Sequence, residues 1–459
     1  MKKVNRSIFI ITILYIGFVC SCIILPAQIT LVYSIFLVCT LSLGCLNNKS
    51  NPKAIAYFLT FPVFISAVQN IYLGLGANQL NTLSLQVALT INIGYIWMVI
   101  VFLILRSIRL EKKYSWLIGL IIIVLLQAVV LFLIYPTTIA SFLSSLRNIL
   151  APLTILLFSL YFSRFANRYT VFKYFDFIIV LVLIFCFTEY FIGNKFWVSL
   201  NIAKLWNLKG MNIGFREVPG NFYSSEMIAG HQLRRMASSF ADPVNLGTFL
   251  FAGFVLSWYQ RKKILSALIL IACVLTVSKG ALLEILIFII IYSFVMDKKK
   301  IIAPVAFIGA FIFAMMFYNY SQTNSSGSMN AHINGFISSL KIPFRYPFGM
   351  GVGNVGVLAS KLGSFRALDV GVFETGIGMV LGQLGFIGLV IYIIFFYKLI
   401  KHGKQLDDKR DKILWYSLIL GILANAIFNE VALSPNSCGM YFILLGLINN
   451  KHFNRANYE

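Results

Sequence analysis

The sequence predicts an all-α polytopic membrane protein with about 12–14 transmembrane helices and two long outer-face segments. Three observations carry that prediction. Of the 459 residues, 59% are hydrophobic and 12% charged, roughly half the charged share of an average soluble domain. Mean hydropathy is +0.86. The 38 Lys and Arg outnumber the 15 Asp and Glu, and they gather in alternate connecting segments, as the positive-inside bias requires.

Apolar runs place candidate spans at 7–25, 27–46, 54–74, 85–105, 115–135, 148–163, 174–193, 243–258, 264–278, 281–296, 301–318, 375–397, 413–430 and 437–449. The first run is read as a retained helix, because a second apolar run follows almost at once and no small-residue cleavage site precedes it. With both termini cytoplasmic, the inner segments hold 26 of the 38 Lys and Arg. Basic residues flank 264–296 on both sides, so this stretch reads as a hairpin whose tip, Ser278-Lys279-Gly280, faces outward. The chain then divides into an N-terminal membrane bundle (1–193), an outer loop (194–242), membrane helices with a re-entrant-like hairpin (243–318), a large outer loop (319–374) and C-terminal membrane helices (375–459). Met329, Ile333, Phe336, Ile337 and Leu340 recur at helical spacing and predict an amphipathic helix in the second loop.

Composition excludes a cytosolic enzyme, a nucleic-acid binder and a disulfide-stapled secreted module. The seven cysteines sit in or beside apolar runs and read as small hydrophobes, with no metal-ligand spacing among them. The longest inner segment, 398–412, is too short for a nucleotide-binding domain, and no GxxxxGK[ST] is present. Any substrate must already lie in the membrane or outside it.

Ionisable residues at membrane depth are functional candidates or buried pairs. They are Asp176, Glu189, Lys279, Glu284, Glu374 and Glu430, with Arg147 at the outer mouth of the sixth span. Arg234 and Arg235 precede a helix start at Asp242-Pro243, where Asp242 is a plausible cap. Their alternative is a topological anchor. Arg147, Arg234, Arg235 and Lys279 together on the outer side point to a polyanion such as a diphosphate. The aromatics Trp197, Trp206, Tyr223 and Tyr346 of the outer segments suit stacking on sugar faces, or an interfacial belt.

Four blocks carry a resemblance: Arg235 to Asn245 (R-x-x-S-x-F-x-D-P-x-N), Leu275 to Ala281, Tyr346 to Asn354 (Tyr346-Pro347-Phe348-Gly349-Met350-Gly351-Val352-Gly353-Asn354), and Glu374 to Gly388, which ends Gln383-Leu384-Gly385-Phe386-Ile387-Gly388. Their content and order resemble the O-antigen ligase/polymerase (Wzy-type) superfamily over about a third of the chain. The chain departs from that pattern at Lys279, where the family has Arg, and at Glu374, where ligases carry His. The second departure is similar to the polymerase branch, or to its capsule and exopolysaccharide relatives.

The resemblance implies a metal-independent, cofactor-free glycosyltransferase of the plasma membrane. The donor would be a glycan on undecaprenyl diphosphate, and the acceptor a hydroxyl of a lipid-linked repeat unit on the outer face. Arg147, Arg234, Arg235 and Lys279 would bind the diphosphate. Glu374 would accept the acceptor proton, with His332 and His231 as rival bases. Partners would be the bilayer, undecaprenyl-diphosphate-linked glycans, and flippase and chain-length regulator proteins. An O-antigen-type ligase and a lipid-linked oligosaccharide flippase are the competing expectations.

Overall fold

The computed structural model describes residues 2–105, 114–211, 213, 217–228, 231–296, 328–357, 359 and 374–450, with isolated positions at 304, 308, 309, 315 and 319. It is a bundle of helices: α1 (Lys2–Ile24), α2 (Ala27–Asn47), α3 (Pro52–Leu75), α4 (Thr82–Leu105), α5 (Ser115–Ile134), α6 (Ile139–Phe162) and α7 (Arg168–Ile192). Two short helices, α8 (Asn194–Ser199) and α9 (Ile202–Leu208), and an antiparallel hairpin, β1 (Tyr223–Ile228) and β2 (His231–Arg234), follow. The chain returns through α10 (Pro243–Tyr259), α11 (Lys263–Leu275) and α12 (Lys279–Val295), then α13 (Ser328–Arg345), α14 (Gly376–Gly403), α15 (Lys409–Phe428) and α16 (Pro435–Asn449).

Among the described residues, nine helices are long and apolar enough to cross a membrane. The protein is a multi-pass membrane protein, and its described residues are helical apart from the small hairpin. Helices coincide with thirteen of the fourteen candidate spans, and the candidate at 301–318 lies outside the described residues save for isolated positions. The apolar run at 264–296 is two helices, broken at Thr276 to Ser278.

The sixth span begins earlier than hydropathy suggested. Thr138 caps α6 by accepting from Ser141 N at 3.3 Å, so Arg147 lies two turns inside the helix and not at its mouth. Ser141, Ser144, Ser145, Arg147 and Asn148 dilute the apolar signal of this first half. Burial explains their presence there: the serines and Asn148 are all 1% exposed or less, so they face protein and not lipid.

Local chemistry sets the helix starts. Asn51, Asn167, Asp242, Thr375 and Asp408 each accept a backbone N–H in the first turn of the helix they precede, and Pro52, Pro243 and Pro435 occupy first-turn positions where no amide is needed. Small residues let the central helices approach. Gly247 of α10 faces Ala281 and Ser278, and Gly280 of α12 faces Asn425 of α15 and Asn429 just after it. Gly446 of α16 faces Ser159 of α6, whose hydroxyl donates to Phe442 O at 3.0 Å.

Gly385 interrupts α14 with φ +59° and ψ −146°. The glycine-rich loop after α13 closes this interruption. Phe386 N donates to Pro347 O, Met350 N to Gly382 O, and Gly351 N to Gln383 O, at 2.9, 2.9 and 3.2 Å. The Gln383 side chain accepts from Gly353 N and donates to Val355 O. Gln127 of α5 donates to Phe348 O and Leu384 O. Helix α13 lies against α14. Gly335, Ser339 and Ile342 are buried, while Ile337, Leu340 and Phe344 are exposed, so part of its apolar stripe faces outward, as expected of a helix lying at a lipid surface.

An alanine at 385 would place its Cβ 2.2 Å from Pro347 O and 2.5 Å from Gly349 N, in a positive-φ conformation. Gly385→Ala should therefore lose about 1–3 kcal/mol or more. Gly119→Ala, whose Cβ would meet nothing within 4 Å inside α5, should gain about 0.5–1 kcal/mol. Thermal unfolding in detergent checks both; equal shifts would show that the kink is not held as described.

Candidate functional site

A partly open cavity of about 890 Å³ lies at one end of the bundle. Its position follows from which helix ends reach it. Lining residues come from the C-terminal part of α3 (Asn70), the first half of α4 and α6 (Gln86, Arg147, Asn148), the starts of α10 and α12 (Asn245, Lys279), the residue before α14 (Glu374), the end of α15 (Asn429) and the start of α16 (Asn436). Residues Trp206 to Asp242 cover part of it. The N-termini of α10, α12, α14 and α16 thus converge here. Each brings a partial positive charge, worth about 0.3–1 kcal/mol to a nearby anion.

The segment between β2 and α10 is pinned from two sides. Glu189, near the end of α7, is buried and ion-paired with Arg234. It also accepts from Ala237 N and Ser238 N at 3.3 Å each. Arg234 donates further to Tyr190 O at 2.8 Å and stacks over the Tyr190 ring. On the other side, Arg235 Nε donates to Thr276 O at 2.9 Å, and Met236 N to Leu275 O at 2.9 Å. These two bonds satisfy carbonyls freed by the break between α11 and α12. Val277, within that break, has φ +48°. A β-branched residue there is a strained conformation, costing about 1–3 kcal/mol, and it lines the cavity.

Six of the ten site residues expected from the sequence meet at the cavity: Arg147, Arg235, Lys279, Glu374, Trp206 and Tyr223. Three do not. Arg234 turns away because consecutive residues of an extended chain point to opposite sides; its guanidinium serves Glu189. Trp197 is fully buried against Phe196 and Phe222. Tyr346 packs on a separate small cluster of Ile342, Met350 and Val355. His332 belongs to α13, and its side chain lies outside the described residues. His231 is exposed on β2 and is not among the lining residues.

Several lining residues were missed. Lys209 lies over the Trp206 ring at 5.4 Å and donates to Asn70 Oδ1 at 2.8 Å; its place beside Trp206 was its only signal. Gln86, Asn148 and Asn436 are neutral amides in apolar runs. The cations do not stand alone. Arg147, Lys209, Arg235 and Lys279 share the lining with Asp242, Glu374 and Glu430.

Asp242 and Glu430 hold protein donors. Asp242 caps α10, accepting from Val244 N at 3.1 Å and from the side chains of Asn221 and Asn245. Glu430 accepts from Val357 N at 2.8 Å. Glu374 stands exposed just before the α14 cap, which is Thr375, accepting from Gly378 N at 2.8 Å. Of the other membrane-depth candidates, Asp176 pairs with Lys262. Glu284 accepts from Tyr441 OH at 2.8 Å, inside the bundle.

Arg147 differs from the other arginines. Its Nε is buried and has no hydrogen-bond partner, and no carboxylate pairs with it among the described residues. The arrangement therefore offers an uncompensated guanidinium, helix N-termini and a carboxylate in one recess. It can bind an anion and accept a proton beside it. Among the described residues no group of three or more His, Cys, Asp or Glu could hold a metal ion. The chain matches no protein-family model, and no curated protein matches it significantly.

The two arginines should respond differently to removal. Arg234→Met strands a buried carboxylate and should cost about 3–5 kcal/mol, seen as a large fall in unfolding temperature and yield. Arg147→Met should leave the unfolding temperature unchanged or raised. A matching fall in both would make Arg147 a structural cation.

Proposed function

We propose that the protein is a membrane glycan polymerase. It would transfer a glycan from undecaprenyl diphosphate to a lipid-linked repeat unit, on the outer face of the plasma membrane with both termini cytoplasmic. The observation that supports this best is Arg147: a half-buried arginine in the cavity wall, with a buried, bare Nε and no acidic partner among the described residues. Holding such a group without an anion is costly, and a diphosphate supplies the missing acceptors. The four sequence blocks point the same way, since the first, second and fourth contribute Arg235, Lys279 and Glu374 to the lining.

In this reading the acceptor hydroxyl attacks the anomeric carbon of the donor glycan. A new C–O bond forms as the bond to the diphosphate oxygen breaks. The hydroxyl proton passes to the Glu374 carboxylate. The diphosphate leaves as an anion, held by Arg147, Arg235 and Lys279 and by the helix N-termini. The other glycan-facing residues are Trp206 and Tyr223. Chemistry on an already activated lipid donor calls for neither a nucleotide nor a metal ion. Flippase and chain-length regulator proteins would be its partners.

The test uses purified full-length protein in nanodiscs, supplied with an undecaprenyl-diphosphate-linked repeat unit and excess chelator. A ladder of products at multiples of the repeat is expected. Glu374→Gln should lower turnover by roughly 10²- to 10⁴-fold. Arg147→Gln should weaken donor affinity while expression is unchanged. Intact monomer that nevertheless crosses the bilayer of a vesicle would replace the polymerase with a flippase. Full turnover by Glu374→Gln would remove the base.

A further inference from the structure

We infer that Gln86 and Asn148 form a neutral subsite in the cavity wall that binds the hydroxyl groups of a sugar ring. The inference deepens the glycan reading above and rests on it for the identity of the ligand. The donor and acceptor chemistry is separate from that reading.

Amides buried at membrane depth are normally spent on the protein. Gln69 Nε2 donates to Asn436 Oδ1 at 2.9 Å. Asn92 Nδ2 donates to Ser66 Oγ at 2.8 Å and to Asn436 Oδ1 at 3.0 Å. Asn70 is held by Phe240 O and Lys209. Gln69, Asn92 and Asn436 tie α3, α4 and α16 together.

Gln86 and Asn148 are different. They are 4% and 1% exposed, and both line the cavity. Their side-chain oxygens are buried without a partner, as are those of Gln69 and Asn92, but among the described residues no hydrogen bond engages either of their amide nitrogens, whereas those of Gln69 and Asn92 are spent. Each forgoes bonds that a buried amide otherwise needs, at about 1–3 kcal/mol per unsatisfied group. Other bare atoms share the lining: Trp206 Nε1, Arg147 Nε, Asn221 Oδ1 and Ser278 Oγ. Trp206 and Ser278 are themselves 6% and 1% exposed.

The mixture identifies the ligand class. Trp206 and Arg147 present donors, whereas Gln86, Asn148 and Asn221 present acceptors. A phosphate or diphosphate accepts only, so it leaves the amide oxygens unsatisfied. Reversing an amide merely exchanges which end is left over. A hydroxyl both donates and accepts, so adjacent hydroxyls on a ring satisfy an amide's two ends at once. A cavity of about 890 Å³ lies within the usual 300–1,000 Å³ range for ligand sites. Because Asn148 directly follows Arg147 in α6, the subsite adjoins the proposed diphosphate anchor. The sugar it takes is therefore the one nearest the anion.

The experiment is saturation-transfer NMR on the full-length protein in nanodiscs. Glucose, galactose, N-acetylglucosamine and N-acetylgalactosamine are the neutral probes, and inorganic pyrophosphate is the anionic one. At least one sugar should show saturable transfer. The double variant Gln86→Leu/Asn148→Leu should weaken it by about tenfold or more, the equivalent of losing one well-made hydrogen bond to a ligand. Pyrophosphate binding should persist in that variant and be lost in Arg147→Gln.

Because the two amides bond nothing among the described residues, the double variant should unfold no earlier than the parent, whereas Asn92→Leu should unfold earlier. Unchanged sugar binding in the double variant, or no transfer from any of the four sugars, overturns the subsite. A fall in unfolding temperature as large as that of Asn92→Leu also overturns it, because the amides would then be structural. Sugar binding that depends on Gln86 and Asn148 without any polymerisation would keep the subsite and discard the polymerase. Polymerisation with an unaffected double variant would do the reverse.

Discussion

A helix that breaks inside a bilayer exposes carbonyls and amides that no water can satisfy, so every break must be closed by another part of the chain. This constraint organises the cavity end of the molecule. The break between α11 and α12 is closed by Arg235 and the Met236 amide. The turn at Ser238 is closed by Glu189. The interruption of α14 at Gly385 is closed by the Pro347–Gly353 loop and by Gln127. The recess exists because these closures are made with side chains and loops, which leave helix ends at different heights around it.

The same closures explain why four separated stretches of sequence look like motifs. The Arg235 block bonds to the Leu275 block, and the Tyr346 block bonds to the Gln383–Gly388 block. Each pair is one irregular backbone feature written in two places. Arg235, Phe240, Asp242, Val244 and Asn245 of the first block, Val277, Ser278 and Lys279 of the second, and Glu374 of the fourth also face the cavity. The glycines of the third block serve the backbone of α14, and its Asn354 donates to Tyr135 O and Met350 O.

Hydropathy made the helices legible, because lipid-facing positions must be apolar whatever their partners. It was least accurate at α6, where a buried face needs no apolar residues. Charge alone could not separate Arg234 from Arg235, adjacent in sequence and opposite in fate. Their division depends on an extended backbone at β2 and on a carboxylate 45 residues away in α7. Trp197 and Trp206 differ for a similar reason: both sit on short helices, and only tertiary packing decides which ring closes the core. Gln86 and Asn148 were visible as polar residues in apolar runs, but weighing only ionisable side chains at membrane depth passed over them. A bare amide costs less than a bare charge, so it stands out less.

The glycine loop has a consequence for how such a chain changes over generations. Gly349, Gly351, Gly353 and Gly356 all have φ between +85° and +99°, and a side chain at Gly349 or Gly353 would meet backbone atoms under 3 Å away. Any replacement of a glycine by another residue introduces a side chain there. Drift is therefore blocked at these positions even though they carry no chemistry, while the ligand-facing amides are free to be exchanged whenever the ligand changes. In distant descendants the scaffold would stay readable long after the specificity had been rewritten.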